Sequence, residues 1–235
     1  MALFDLDRKE ALVVAPHADD EVLAAGGLIA RLCGEGWNVR VLYGVVSGFT
    51  SLSGAGSSIT VDREAECLSA LTVLGCTHWD ALYRGEEAHL RLDTVPQAEL
   101  IQGIESHLEL QRPSLAVIPS EADHHQDHRA MARACVTALR PAPEGQRPRV
   151  PLVLAYGQSG AAGWGGEAYR FDPVAFVDIS AVIEKKLEAM ACYASQLRDA
   201  PHGRSLEGIR ARAAVFGALG GCAYAEGFEC LRYVA

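Results

Sequence analysis

The chain has 235 residues, 49% of them hydrophobic and 22% charged, the balance of a globular protein able to bury a sizeable core. Its formal net charge of −9 gives no long-range attraction to nucleic acid or to an anionic lipid surface, so neither is expected as a general partner, although a local basic spot can still hold one anionic group. No apolar run approaches the ~20 residues that span a bilayer, the early acids of MALFDLDRKE, with no long apolar stretch after them, lead to no signal peptide being expected, and seven cysteines without a CxxC pair read as buried free thiols in a reducing cytoplasm.

The elements follow in chain order. ALVVA (11–15) is a continuous apolar run, as in a parallel strand covered on both faces. Val22, Leu23, Leu28, Ile29 and Leu32 then recur at helical spacing until Gly34 and Gly36 end the pattern. NVRVLYGVV (38–46) predicts a second strand, and 47–58 a Gly/Ser-rich loop. Thr60 or Asp62 caps a helix carrying Ala65, Leu68, Leu71, Val73 and Leu74, which Gly75 closes. A short strand is expected within 76–82, polar loop over 84–94, helix over 96–111, and strand at LAVI (115–118). Helix over 129–139, a Pro-rich loop (141–149), strand PLVLAY (151–156) and a Gly-rich loop (157–166) come next. FVDI (176–179) predicts a strand, 180–197 a long helix, 205–218 a helix and 228–234 an edge strand. Strands alternating with helices define an α/β fold: a Rossmann-like, mostly parallel sheet with helices on both faces, in a single domain spanning 1–235.

Two polar clusters interrupt this pattern, PHADDE (16–21) after the first strand and PSEADHHQDHR (119–129) after LAVI. Ligands of an open α/β sheet bind beyond the C-terminal strand ends, so parallel strands put both clusters on one edge. Adjacent carboxylates repel and lose solvation there unless a divalent cation sits among them. Histidine with aspartate suits zinc, and a catalytic zinc keeps three protein ligands and one water. His17, Asp20 and His128 supply that set. Asp19 is then left beside the water as a proton acceptor, and His125, with Asp127 two residues on, is expected as a cationic oxyanion stabiliser.

Other features read as structural. AAGGLIA lacks G-x-G-x-x-G spacing, so Gly26 and Gly27 are assigned to close helix–sheet packing. His124 is out of frame with the second cluster. By spacing alone Arg63 is an exposed helix residue. Tyr193, Ser195 and Gln196 fall near a helix end, and His202 in PHGRS reads as a surface-loop residue, with the rim of the pocket as the alternative. Glu21 either supports the site or complements the dipole of the helix that follows.

PHADDE and HQDH resemble the two signatures, P-H-x-D-D-E and H-x-D-H, of the PIG-L/LmbE-like family of zinc-dependent N-acetylglucosaminyl deacetylases. REAECLSALTVLG (63–75), VDISAVIEKKLEAMACYASQ (177–196) and YAEGFECLR (224–232) extend the likeness over nearly the whole chain. The resemblance implies a hydrolase removing an N-acetyl group from a GlcNAc-type small molecule or conjugate. Zn2+, or another divalent metal, would be held by His17, Asp20 and His128. Asp19 would be the general base, His125 the oxyanion stabiliser oriented by Asp127, and Arg63 a substrate contact. Members often form trimers or hexamers, and at least one hydrates an oxo-acid, so a metal-dependent hydratase or lyase is the alternative. A non-catalytic sugar- or nucleotide-binding module would have no use for Asp19. Specificity is expected in the loops 47–60, 84–96 and 157–172, the last a movable lid whose Trp164 and Tyr169 either stack on a sugar ring or pack the loop.

Overall fold

The computed structural model describes residues 3–4, 6–50, 57–58, 60–85, 91–143, 145–157, 166–167 and 170–234. Its seven-stranded sheet contains β1 (Glu10–His17), β2 (Asn38–Val46), β5 (His78–Arg84), β6 (Leu115–Pro119), β7 (Leu152–Tyr156), β8 (Ala175–Asp178) and β9 (Ala225–Tyr233). β3 (Phe49–Thr50) and β4 (Ser57–Ser58) pair as a small antiparallel ribbon inside the segment expected to be loop. The helices are α1 (Asp20–Gly34), α2 (Thr60–Leu74), α3 (Gln97–Gln111), α4 (Gln126–Ala138), α5 (Ile183–Cys192) and α6 (Leu206–Gly220).

The strand order is β5-β2-β1-β6-β7-β9-β8. The first five strands are parallel, and β9 runs antiparallel to both β7 and β8. The sheet therefore grows outward in both directions from β1. Period-two alternation along β1 explains why its whole run is apolar: Ala11, Val13 and Ala15 enter one core, Leu12 and Val14 the other. The first core is filled from α1, α2 and α5, the second from α3 and α4.

Three expectations need correction. β9, expected as an edge strand over 228–234, starts earlier and lies between β7 and β8: residues 225–228 pair with β8 and bury Ala225 and Phe228, and residues 229–233 pair with β7 alone. The helix expected over 180–197 is only Ile183–Cys192, and the chain then leaves helical geometry through a turn at 194–196. Of the seven free cysteines, three are buried and Cys230 is exposed, so burial does not describe the set. Among the described residues, no helix is long and apolar enough to cross a membrane.

One break in the helices is tied to the site. α1 leaves helical geometry at Ala25 (φ −136°, ψ 16°), which interrupts its backbone ladder. In an unbroken helix the Leu23 carbonyl would accept from Gly27 N–H. Here Glu226 accepts from Gly27 N–H (2.8 Å) and Leu28 N–H (2.7 Å), while Lys186 Nζ donates to the Leu23 carbonyl (3.0 Å). The two side chains close on each other at 2.5 Å and are almost wholly buried. A buried ion pair thus splices the two halves of α1, and side chains take over the bonds that the ladder gives up. Gly27 is required because a Cβ there would meet Ile179 at 2.5 Å, in keeping with the close packing expected of this glycine.

Removing one member of such a pair strands a buried charge, which costs about 3–5 kcal/mol. Lys186→Met and Glu226→Leu are each expected to lose that much stability in urea unfolding. An exposed pair such as Arg84–Glu64 should lose under about 1 kcal/mol on the same treatment.

Candidate metal centre and catalytic site

β1 pairs with β2 on one side and β6 on the other, so the crevice between the ends of β1 and β6 is a topological switch point, where open α/β sheets bind ligands. β1 ends at His17, and α1 starts at Asp20. β6 ends at Pro119, and a turn delivers His125 as the N-cap of α4. Both polar clusters are brought together, as their positions at strand ends imply.

The donor atoms of His17, Asp20 and His128 form a nearly equilateral triangle. His17 Nδ1 is 3.5 Å from Asp20 Oδ2 and 3.3 Å from His128 Nε2, and His128 Nε2 is 3.2 Å from Asp20 Oδ2. Two ligands of a tetrahedral ion with bonds of about 2.0–2.1 Å stand about 3.3 Å apart, so the triangle fits a metal without rearrangement. His17, His125 and Asp127 form a second group of converging donor atoms among the described residues.

The electrostatics point the same way. Burial disfavours a charge on Asp20, but His128 and His17 outweigh it and hold the carboxyl well below the usual range. Burial would also lower His128, yet Asp20 and Asp123 push it up to about 10. His17 is likewise raised against its burial by Asp127 and Asp20. The field at this point is negative and attracts a cation.

The supporting residues are partly unexpected. Asp123 Oδ2 bonds His128 Nδ1 (2.9 Å), and its Oδ1 accepts from His125 N–H (2.8 Å). This is the carboxylate–histidine arrangement that fixes a ligand's tautomer. Asp123 lies inside the quoted cluster, five residues before His128, but no spacing rule marks it out. Asp127 lies with Oδ2 3.0 Å from His17 Nε2, and its Oδ1 accepts from Asp93 N–H at 3.4 Å.

That placement corrects the expected partnership of Asp127 with His125. The carboxylate serves His17, and it is the backbone N–H of Asp127 that donates to His125 Nδ1 (3.2 Å). An Nδ1 that accepts keeps its lone pair, so His125 is a neutral imidazole with its proton on Nε2. Burial, with the neighbouring His17 and His128 rings, holds it down to about 4, against the cationic form expected from the sequence.

Asp19 is buried and lies outside the donor triangle. Its backbone is held at φ 130°, a left-handed conformation costly for any residue other than glycine. Glu21 Oε2 holds that turn by accepting from Asp19 N–H (3.1 Å), and Tyr193 OH donates to Glu21 Oε1 (2.6 Å). Of the two roles open to Glu21 from its position, these contacts select support of the site, and burial pushes its carboxyl up to about 7. Burial and the charge of Asp20 raise Asp19 as well, with Arg63 and Arg204 opposing. Among the described residues Asp19 Oδ1 accepts no hydrogen bond, while Oδ2 lies 3.4 Å from Arg204 Nη1.

Arg63 is buried, which removes the exposed-helix reading of its spacing. Its Nη2 donates to the Ala18 carbonyl, and its Nη1 to Glu66 (3.1 Å) and Ser195 Oγ (3.2 Å), over the Tyr193 ring. The guanidinium props the PHADDE turn from beneath. His124 is half-exposed, 3.7 Å from Asp123, and His202 is exposed and accepts from Arg204 N–H. Trp164 and Tyr169 lie outside the described residues, as do parts of all three loops expected to carry specificity.

Known proteins place this geometry in a class of amide hydrolases. The family model for PIG-L, the GlcNAc-PI de-N-acetylases, matches residues 12–139. The diacetylchitobiose deacetylase of Thermococcus kodakarensis is 26% identical over 95% of this chain and 83% of its own. A probable N-acetyl-alpha-D-glucosaminyl L-malate deacetylase of Bacillus cereus is 28% identical over 80% of this chain and 84% of its own. The conserved protein TT1542 of Thermus thermophilus superposes with a TM-score of 0.73 at 31% identity, over 96% of both chains. The chain belongs to the PIG-L family and is an N-deacetylase of the hydrolase class.

Metal binding requires neutral imidazoles, so uptake must displace the proton that His128 holds up to about 10. Affinity for a divalent metal is therefore expected to rise with pH from about 6 to about 10. Calorimetry in buffers of different ionisation enthalpy should register proton release at pH 7. Asp123→Asn should weaken the metal about 10- to 100-fold in a chelator competition.

Proposed function

We propose that the chain is a zinc-dependent hydrolase that removes the N-acetyl group from an amino sugar of the N-acetylglucosamine type. The observation that carries this reading is the donor triangle of His17, Asp20 and His128 beside a buried carboxylate, Asp19, that stands outside it. Two imidazole nitrogens and one carboxylate oxygen suit zinc and leave a fourth position for a ligand from solvent. The substrate class is supported by the relatives, since diacetylchitobiose and N-acetylglucosaminyl malate are both N-acetylated amino sugars.

A bound zinc supplies Lewis-acid polarisation of the acyl carbonyl and makes water acidic enough to ionise near neutral pH. Asp19 takes the proton from the attacking water through the oxygen that carries no other hydrogen bond. Its raised pKa lets it hold that proton and pass it to the leaving amine. His125 donates Nε2–H to the developing oxyanion as a neutral donor, fixed by the Asp127 backbone. Asp127 and Asp123 orient His17 and His128 from behind, and Arg63 with Glu21 keeps Asp19 in its strained turn.

Asp19→Asn is expected to keep stoichiometric zinc and to lose about 10²- to 10⁴-fold in kcat for acetate release from N-acetylglucosamine derivatives. His17→Ala should lose the metal itself, read by elemental analysis of the purified protein. Full turnover in the Asp19 variant, or wild-type activity indifferent to chelator, would contradict the reading.

A further inference from the structure

Arg204 is the cation nearest the reacting carboxylate that also reaches solvent. Its side chain is 33% exposed, whereas Arg63 is buried beneath the turn. It stands in the segment between α5 and α6, directly before Ser205, whose buried side chain caps α6 by accepting from Gly208 N–H. The backbone beneath Arg204 is thereby fixed.

Its contacts are one-sided. Nη1 alone makes both side-chain contacts, to Asp19 Oδ2 at 3.4 Å and to the buried Gln196 Oε1 at 3.1 Å. Among the described residues, Nε and Nη2 donate to nothing and Asp19 is the sole acidic partner. A guanidinium that served only to hold Asp19 would have no use for an exposed second edge. Nε–H and Nη2–H form the fork that matches a carboxylate or a phosphate in two parallel hydrogen bonds. The surroundings make such a cation consequential. Asp19, Asp20, Asp123 and Asp127 crowd the crevice in a chain of net charge −9, and with Arg63 buried beneath the turn, Arg204 is the cation near Asp19 that an incoming anionic group can reach. A neutral sugar needs no compensating charge at the mouth.

We propose that Arg204 reads an anion, and that the preferred substrate is an N-acetylated amino sugar bearing a carboxylate or phosphate close to the scissile amide. This deepens the deacetylase reading and rests on it. Nη1 stays on Asp19 and Gln196 while the free fork takes the anion, so the acid group of the substrate is registered against the base. Arg204 is a specificity-determining residue, and the contact discriminates among amino sugars that share the same acetamide.

The test compares acetate release by the zinc-loaded protein from three probes: N-acetylglucosaminyl malate, N-acetylglucosamine 1-phosphate and the neutral methyl N-acetylglucosaminide. The wild type is expected to favour at least one anionic probe in kcat/KM, and which one distinguishes a carboxylate from a phosphate. Arg204→Gln should reduce the anionic-to-neutral ratio about 10- to 100-fold, mainly through KM, as loss of a charged bidentate contact would. Arg204→Lys, which keeps the charge without the fork, should fall between. Binding of the product glucosamine 1-phosphate, followed by calorimetry, should weaken in the same order without any turnover. Equal losses on charged and neutral probes in Arg204→Gln would overturn the inference and leave Arg204 as a support for Asp19. Wild-type preference for the neutral probe overturns it too, with deacetylation left standing. Acetate release from none of the three overturns the deacetylase reading and the inference together.

Discussion

Three consecutive acids, Asp19, Asp20 and Glu21, are buried at the end of a core strand, and the architecture around them is a response to that burial. Ionised carboxylates in an apolar interior are costly unless each has a partner. The three are given different ones. Asp20 faces two imidazoles, Asp19 meets two guanidinium groups at its edge, and Glu21 is met by a tyrosine hydroxyl and a backbone N–H. Successive residues thereby stand in separate surroundings, which the proposed mechanism uses as a donor to a cation, a proton acceptor and a brace. The left-handed backbone at Asp19 is what turns the second of these away from the first.

The sheet supplies the site's location and the connections supply its precision. β1 and β6 are adjacent although about a hundred residues separate them in sequence, because the chain winds first to one side of β1 and then to the other. Histidines at the two strand ends meet as a result. What holds their rings at a useful angle is a set of carboxylates behind them, Asp127 on His17 and Asp123 on His128. The same logic sets His125, whose ring is oriented by a helix N-terminus in place of a side chain.

Much of this was legible in the sequence. Apolar runs of five residues marked the buried strands, and glycines after periodic stretches marked the helix ends, because both report local geometry. The pairing of PHADDE with HQDH was legible because open sheets bind ligands at one edge. Legibility failed where a residue's role depends on a partner far along the chain. Asp123 looked like any loop acid, Arg63 like any exposed helix residue, and Arg204 stood in a stretch read as surface. The direction of Asp127 was misjudged for a related reason. Proximity in sequence suggested His125, whereas the carboxylate crosses to a histidine 110 residues away. The edge-strand reading of 228–234 caught the exposed second half of β9, which pairs with β7 alone, and missed its buried start at 225–228, which pairs with β8.

The splice in α1 bears on how the protein can be divided. Every proposed ligand lies within the first 128 residues, yet the broken helix that presents Asp20 is mended by side chains at 186 and 226. A fragment ending before β9 would contain each donor and Lys186, but not Glu226, which accepts both backbone N–H groups at the break. The helix that presents Asp20 is therefore complete only when β9 is docked, and a strand that contributes no proposed ligand acts as its keystone.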